Sequence, residues 1–151
     1  MSYIKIYNKS QEDISFLKSI ESKIKPFLSL VNKEEYPITV IVYTKKNKQD
    51  LSNLDLESNR ITLKYNSKLQ SKEDICWVLL HEIGHWLSLK NPELKKVAFS
   101  EENKYVQKAL NKVYAGYDWH DALSYEIFAN TFATLLIGKF FKRHNYKNKI
   151  K

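Results

Sequence analysis

Two of the chain's four histidines lie four residues apart in the run His81-Glu82-Ile83-Gly84-His85, and no other stretch restricts the fold as strongly. The run falls inside a predicted helix. Ser71-Lys72-Glu73-Asp74 is a capping signature, with Ser71 as N-cap and acids in the first turn, and the apolar stripe Ile75, Leu79, Ile83 and Trp86 carries the helix to about Lys90, before Pro92. Residues four apart share a helix face, about 5–6 Å apart at Cβ, so the imidazoles of His81 and His85 can converge on one tetrahedral ion. Glu82 is turned roughly 100° from His81 by the helical step, poorly placed to ligate yet able to reach a water held on the metal. This is the H-E-x-x-H pattern of zinc hydrolases. Val78, His81 and His85 occupy a flank distinct from the core stripe, so this helix needs something to meet on its second face. The bland alternative is a pair of histidines on an ordinary amphipathic helix.

A metal held by two histidines needs a third protein ligand and an open position for water. The candidates are His120, His144 and a downstream carboxylate. Glu126 is the only charged residue between Asp121 and Lys139, in the middle of the apolar helix Ser124-Tyr125-Glu126-Ile127-Phe128-Ala129-Asn130-Thr131-Phe132-Ala133. A carboxylate in such surroundings should be bound to metal or paired, for instance with a lysine, because burying it alone is costly. Ala129 and Ala133 continue its face with small side chains, which would let this helix approach the metal helix closely near Gly84. Asn130, one turn beyond Glu126, can accept a hydrogen bond from the free ring N–H of a ligand histidine and fix its tautomer. A hydrolytic site also needs a donor to the oxyanion. Tyr117, His120 and Tyr125 lie near the third ligand in sequence; His120 and Tyr125 are the better candidates, against plainer roles as a helix-start histidine and a packed tyrosine.

The rest of the chain predicts the frame around these residues. A helix is expected from about Glu12 to Val31, kinked or shortened by Pro26, and strands at Pro37–Tyr43 and Arg60–Tyr65, with a further strand at Tyr3–Tyr7. The polar stretch Lys45 to Asn59 is long for a hairpin loop and is expected to hold a short extra strand or a flap. The alternating Ile61-Leu63-Tyr65 strand is a candidate to pair with an extended substrate, or else a plain edge strand guarded by Arg60 and Lys64. Further helices are expected at Glu101–Tyr114 and from near Asp118–Asp121 to Leu136–Gly138. The expected class is α+β: one domain over residues 1–151, with a small, mostly antiparallel sheet against the H-E-x-x-H helix and C-terminal helices.

Composition narrows the setting. With 43% apolar and 28% charged residues, the chain is an ordinary globular one, and its longest apolar runs are far short of a membrane span. The N-terminus has no secretory pattern and the lone Cys76 cannot form an internal disulfide, so a cytoplasmic location is expected. The net charge of +8 suggests nucleic acid, but only Arg60 and Arg143 among the 25 basic residues are arginine. Lysine-rich coding bias and a solvated basic tail over about 139–151 account for most of it, so direct nucleic-acid binding is a secondary reading. Trp77, Trp86 and Trp119 read as core or cleft aromatics rather than stacking platforms for bases.

The pairing of His81-Glu82-Ile83-Gly84-His85 with Glu126-x-x-Ala129-Asn130-x-Phe132-Ala133-x-x-Leu136 resembles the ImmA/IrrE family of metallopeptidases, in the glutamate-zincin group, over residues 71–137. The resemblance implies a zincin-like fold, one Zn(2+) per chain held by His81, His85 and Glu126, and Glu82 as general base. It also implies an intracellular peptidase whose protein substrate is a helix-turn-helix DNA-binding repressor of a mobile element or stress response. If histidine were the third ligand, the chain would instead be similar to SprT-like proteases that act near DNA. A zinc-stabilised module that binds a repressor or toxin partner without cutting it is a further alternative, against which the intact Glu82 argues.

Overall fold

A computed structural model describes residues 4–28, 31, 37–100, 102, 105 and 124–137. Strand β1 (Ile4–Asn8) leads through a 3-10 turn (Ser15–Ser19) into helix α1 (Ile20–Leu28), followed by β2 (Ile38–Thr44), β3 (Asn53–Asp55), β4 (Arg60–Tyr65), α2 (Lys72–Lys90), α3 (Pro92–Ala98) and α4 (Ser124–Ile137). This is an α+β arrangement, and no helix among the described residues is long and apolar enough to cross a membrane.

The four strands form one mixed sheet in the order β1-β2-β4-β3. β1 pairs with β2 and β2 with β4 in parallel, and only β3 pairs antiparallel, with β4. The expected mostly antiparallel sheet is therefore corrected. Parallel neighbours need a crossover, and the segment holding the 3-10 turn and α1 provides one between β1 and β2. The short strand expected between Lys45 and Asn59 is β3, which takes the outer position beside β4. β4 is thus an interior strand, and the expectation that Ile61, Leu63 and Tyr65 form an edge open to substrate does not hold: all three side chains are buried. Among the described residues the edge on that side is β3.

Alternation along the strands explains the layering. Val40 and Val42 of β2 and Ile61, Leu63 and Tyr65 of β4 point to one face, where they join Leu17, Ile20 and Ile24 of the first helical segment and Ile75, Leu79, Ile83 and Trp86 of α2 in a single core. The helix expected from Glu12 begins later, with its first described turn tightened to 3-10, and α1 carries Pro26 within its last turn and a half. Cys76, at the start of α2, is 1% exposed, and burial pushes its thiol up to about 12.

α2 starts where the sequence says it should. Ser71 Oγ accepts from the Asp74 N–H at 3.1 Å while the Asp74 carboxylate accepts from the Ser71 N–H, a complete capping box that satisfies two otherwise unpaired donors. It ends at Asn91, which also caps α3 by accepting from the Leu94 N–H at 2.9 Å. Pro92 is thus the first residue of a new short helix rather than a simple stop. The expected helix at Glu101–Tyr114 and the basic tail lie outside the described residues, apart from Glu102 and Tyr105.

The broadest helix contact is between α2 and α4. At its centre a Cβ added to Gly84 would lie 3.1 Å from the Ala129 Cα and 3.2 Å from Phe132 Cδ2, so glycine and alanine together set the approach, as Ala129's size suggested. Gly84→Val should therefore cost about 1–3 kcal/mol by overpacking, read as a lower urea midpoint with an unchanged m-value; a variant as stable as the parent would show that the two helices do not rely on this contact.

Candidate metal centre

Glu126 enters the site from α4, in the first turn of the described helix, and His81 and His85 enter from α2. Their donor atoms converge. The two Nε2 atoms lie 3.1 Å apart. Glu126 Oε2 is 3.3 Å from His81 Nε2, and Oε1 is 2.8 Å from His85 Nε2. Among the described residues these three form the group of potential metal ligands, with one donor atom from each lying within 4.8 Å of the others. The half-exposed carboxylate is thus partnered by the two histidines, and no lysine pairs with it among the described residues.

These separations test the donor set. A tetrahedral ion with ligands at 2.0–2.1 Å requires donors about 3.3 Å apart, close to the spacing found, and two imidazoles with one carboxylate are a ligand set that catalytic zinc uses. His81, His85 and Glu126 therefore fit a small divalent cation.

The two glutamates of the site are held in opposite electrostatic states. Contacts from His81 and then His85 keep the Glu126 carboxyl well below the usual carboxylate range, against the opposing effect of burial. Burial is the largest influence on Glu82 and raises its carboxyl, with the histidines pulling the other way and Glu126 adding repulsion. Glu82 lines the same cleft, a cavity of about 420 Å³ whose walls come from Ser52–Leu54 of the edge strand region, Leu89 of α2, Phe99 after α3, Tyr125, and the three candidate ligands. One carboxylate is kept as an anion, while the other binds a proton more readily than a free glutamate.

Tyr125 does reach the cleft: its ring centroid is 5.7 Å from that of His85, and it stacks on Phe99 at 5.3 Å with 24° between planes. No hydrogen bond joins Asn130 to either histidine among the described residues, and His81 Nδ1 is buried without a partner. His120, Tyr117, His144 and Trp119 lie outside the described residues. Phe99 and the Ser52–Leu54 wall were not singled out as site residues in sequence, since nothing local ties them to the histidines. Trp86 is core, as expected, and its indole N–H donates to Asn59 Oδ1 at 2.9 Å, tying α2 to the turn between β3 and β4. Asn59 holds φ at 50°, a conformation asparagine tolerates better than most residues. The edge strand is thereby anchored beside the histidine helix.

The opposite shifts carry opposite consequences for stability in the metal-free protein. A raised carboxyl penalises the fold at pH values above its folded-state pKa and not below the ordinary glutamate value of about 4.3; a lowered carboxyl stabilises above that value, and this is lost on acidification. At pH 7, Glu82→Gln should raise the thermal midpoint of the metal-free protein and Glu126→Gln should lower it; the Glu82 difference should shrink as the pH falls towards about 4, whereas the Glu126 difference should persist to about 4 and shrink only below it. Melting curves across that range check this; equal midpoints for parent and both variants at pH 7 would contradict it.

No family model, curated protein or solved structure matches the chain, so the chemistry of the centre is read from its own residues.

Proposed function

We propose that the protein is a zinc-dependent peptidase acting by metal-assisted hydrolysis on a protein substrate inside the cell. The observation that carries the proposal is the convergence of His81 Nε2, His85 Nε2 and the Glu126 carboxylate on one wall of a cleft that also presents Glu82. Bound there, zinc supplies the Lewis acidity that lowers the pKa of a water ligand to about 7 and polarises a peptide carbonyl.

The chain's own residues do the rest. The Glu82 carboxylate accepts the proton of the attacking water and returns it to the departing amine, and its raised carboxyl suits both halves of that transfer. Glu126, held as an anion beside His81 and His85, would balance the charge of a bound cation on the wall of the cleft. An extended substrate has a place to lie: β3 is a sheet edge among the described residues, and Ser52, Asn53 and Leu54 line the cleft, so the side of β3 away from β4 can add a strand from the substrate alongside the centre. This role moves from β4, where the sequence suggested it, to its neighbour. Tyr125 is the described candidate for steadying the oxyanion. The substrate class implied by the family resemblance, a helix-turn-helix repressor, is the first to try.

The test is cleavage of such a repressor, or of a peptide library, by the purified protein. Cleavage should stop with a chelator and return with added zinc. Glu82→Gln should keep one zinc per chain and lose about 10²–10⁴-fold in rate. Cleavage that survives the chelator, or a Glu82→Gln protein as active as the parent, would refute the proposal.

Glu126→Gln should weaken zinc strongly, because the anionic ligand becomes a neutral amide, while His120→Asn should not. Metal content after dialysis against a buffered chelator reads both, and the reverse result would make histidine the third ligand.

A further inference from the structure

Histidines that bind metal through one ring nitrogen usually donate the other N–H to a carboxylate or carbonyl, which fixes the tautomer and the plane of the ring. His81 departs from that pattern. Its Nε2 faces His85 and Glu126, and its Nδ1 is buried with no hydrogen-bond partner among the described residues. A ring in that position needs some other constraint, since rotation about its side-chain torsions would carry Nε2 out of the cluster.

The constraint comes from one turn earlier on α2. The Trp77 indole stacks on the His81 ring with centroids 5.2 Å apart and 21° between planes, an offset face-to-face arrangement. The indole is itself fixed, because its Nε1–H donates to Thr134 Oγ1 of α4 at 3.0 Å. Thr134 is 1% exposed, so this bond is shielded from water. Helix α4 therefore contributes twice: Glu126 as a member of the donor cluster, and two turns further on Thr134, which holds the tryptophan that holds the histidine. Among the described residues no indole stacks on His85; its ring meets His81 edge-on at 89° and lies tilted against Tyr125.

We infer that Trp77 is a positioning residue for the metal centre, setting the plane of the His81 ring by stacking in place of a hydrogen bond at Nδ1, with Thr134 as its anchor. The inference rests on the metal reading of His81, His85 and Glu126. The stack also has an electronic consequence: an imidazole polarised by a cation presents a more positive face to the electron-rich indole, so metal binding and stacking reinforce each other.

The experiment measures the zinc dissociation constant by competition with a chromogenic chelator, the visible absorption of the Co(II)-loaded protein, and the thermal midpoint of the metal-free protein. The proteins are the parent, Trp77→Ala, Trp77→Phe, Thr134→Val and a core control, Ile75→Val. Trp77→Ala should weaken zinc by about 10–100-fold, the range seen on removing groups that orient metal ligands, and should shift the Co(II) bands. Trp77→Phe keeps a stacking face but loses the anchoring N–H, and should fall between the parent and Trp77→Ala. Thr134→Val keeps the indole but frees it, and should also fall between those two. Ile75→Val should lower the thermal midpoint without moving zinc affinity, which separates positioning from general loss of stability.

If Trp77→Ala does not fold, Thr134→Val decides the matter: zinc affinity and Co(II) bands identical to the parent overturn the inference. A parent that binds zinc, with a folded Trp77→Ala that binds it equally well, also overturns the inference and leaves the metal centre standing. A parent that takes up no zinc overturns the metal reading itself.

Discussion

The centre exists only because α2 and α4 come unusually close at Gly84 and Ala129. A helix pair with ordinary side chains at the crossing stands 8–10 Å apart between axes. With glycine on one side and alanine on the other, a hypothetical Cβ on Gly84 already falls within 3.1 Å of the opposite backbone. This approach lets a short-reaching carboxylate on α4 touch two imidazoles on α2, and it lets Thr134 touch Trp77. The polar contacts of the site are consequences of an apolar packing decision. The sheet matters to the site indirectly, by burying the other flank of α2 so that its histidine face is left for α4 and the cleft.

Within that frame the same amino acid is set to two tasks by its surroundings. Glu82 and Glu126 differ neither in chemistry nor greatly in location, yet burial dominates at the first and histidine contacts at the second. Under the proposed reading, that separation would make Glu82 the proton carrier and Glu126 the permanent anion. Here it follows from helix phase: one step along α2 turns Glu82 away from the pair that grips Glu126.

Much of this was legible locally. The capping box, the core stripe and the four-residue histidine spacing each need only a dozen residues of context, and α2 runs over the expected span. Glu126 announced itself as a lone charge in an apolar helix, and the small residues following it marked the close crossing. The sheet was harder. Alternation in Arg60–Tyr65 identifies a strand, but whether it lies inside or at an edge depends on where the Lys45–Asn59 segment returns, a choice set by distant partners. Pro92 marked the end of α2 but not the start of α3: proline ends one helix and opens another equally well, and Asn91 serves both. The stack of Trp77 on His81 was beyond reach because side-chain spacing gives proximity but not ring planes.

Cys76 sits five residues before the first histidine of the cluster, buried and with its thiol held in the protonated form. The cluster itself consists of imidazole and carboxylate groups, neither of which climbs the oxidation ladder that thiolate ligands do. The sulfur on the same helix is buried, and its raised thiol leaves little of the nucleophilic thiolate. Oxidising and reducing surroundings should therefore look alike to this group of donors.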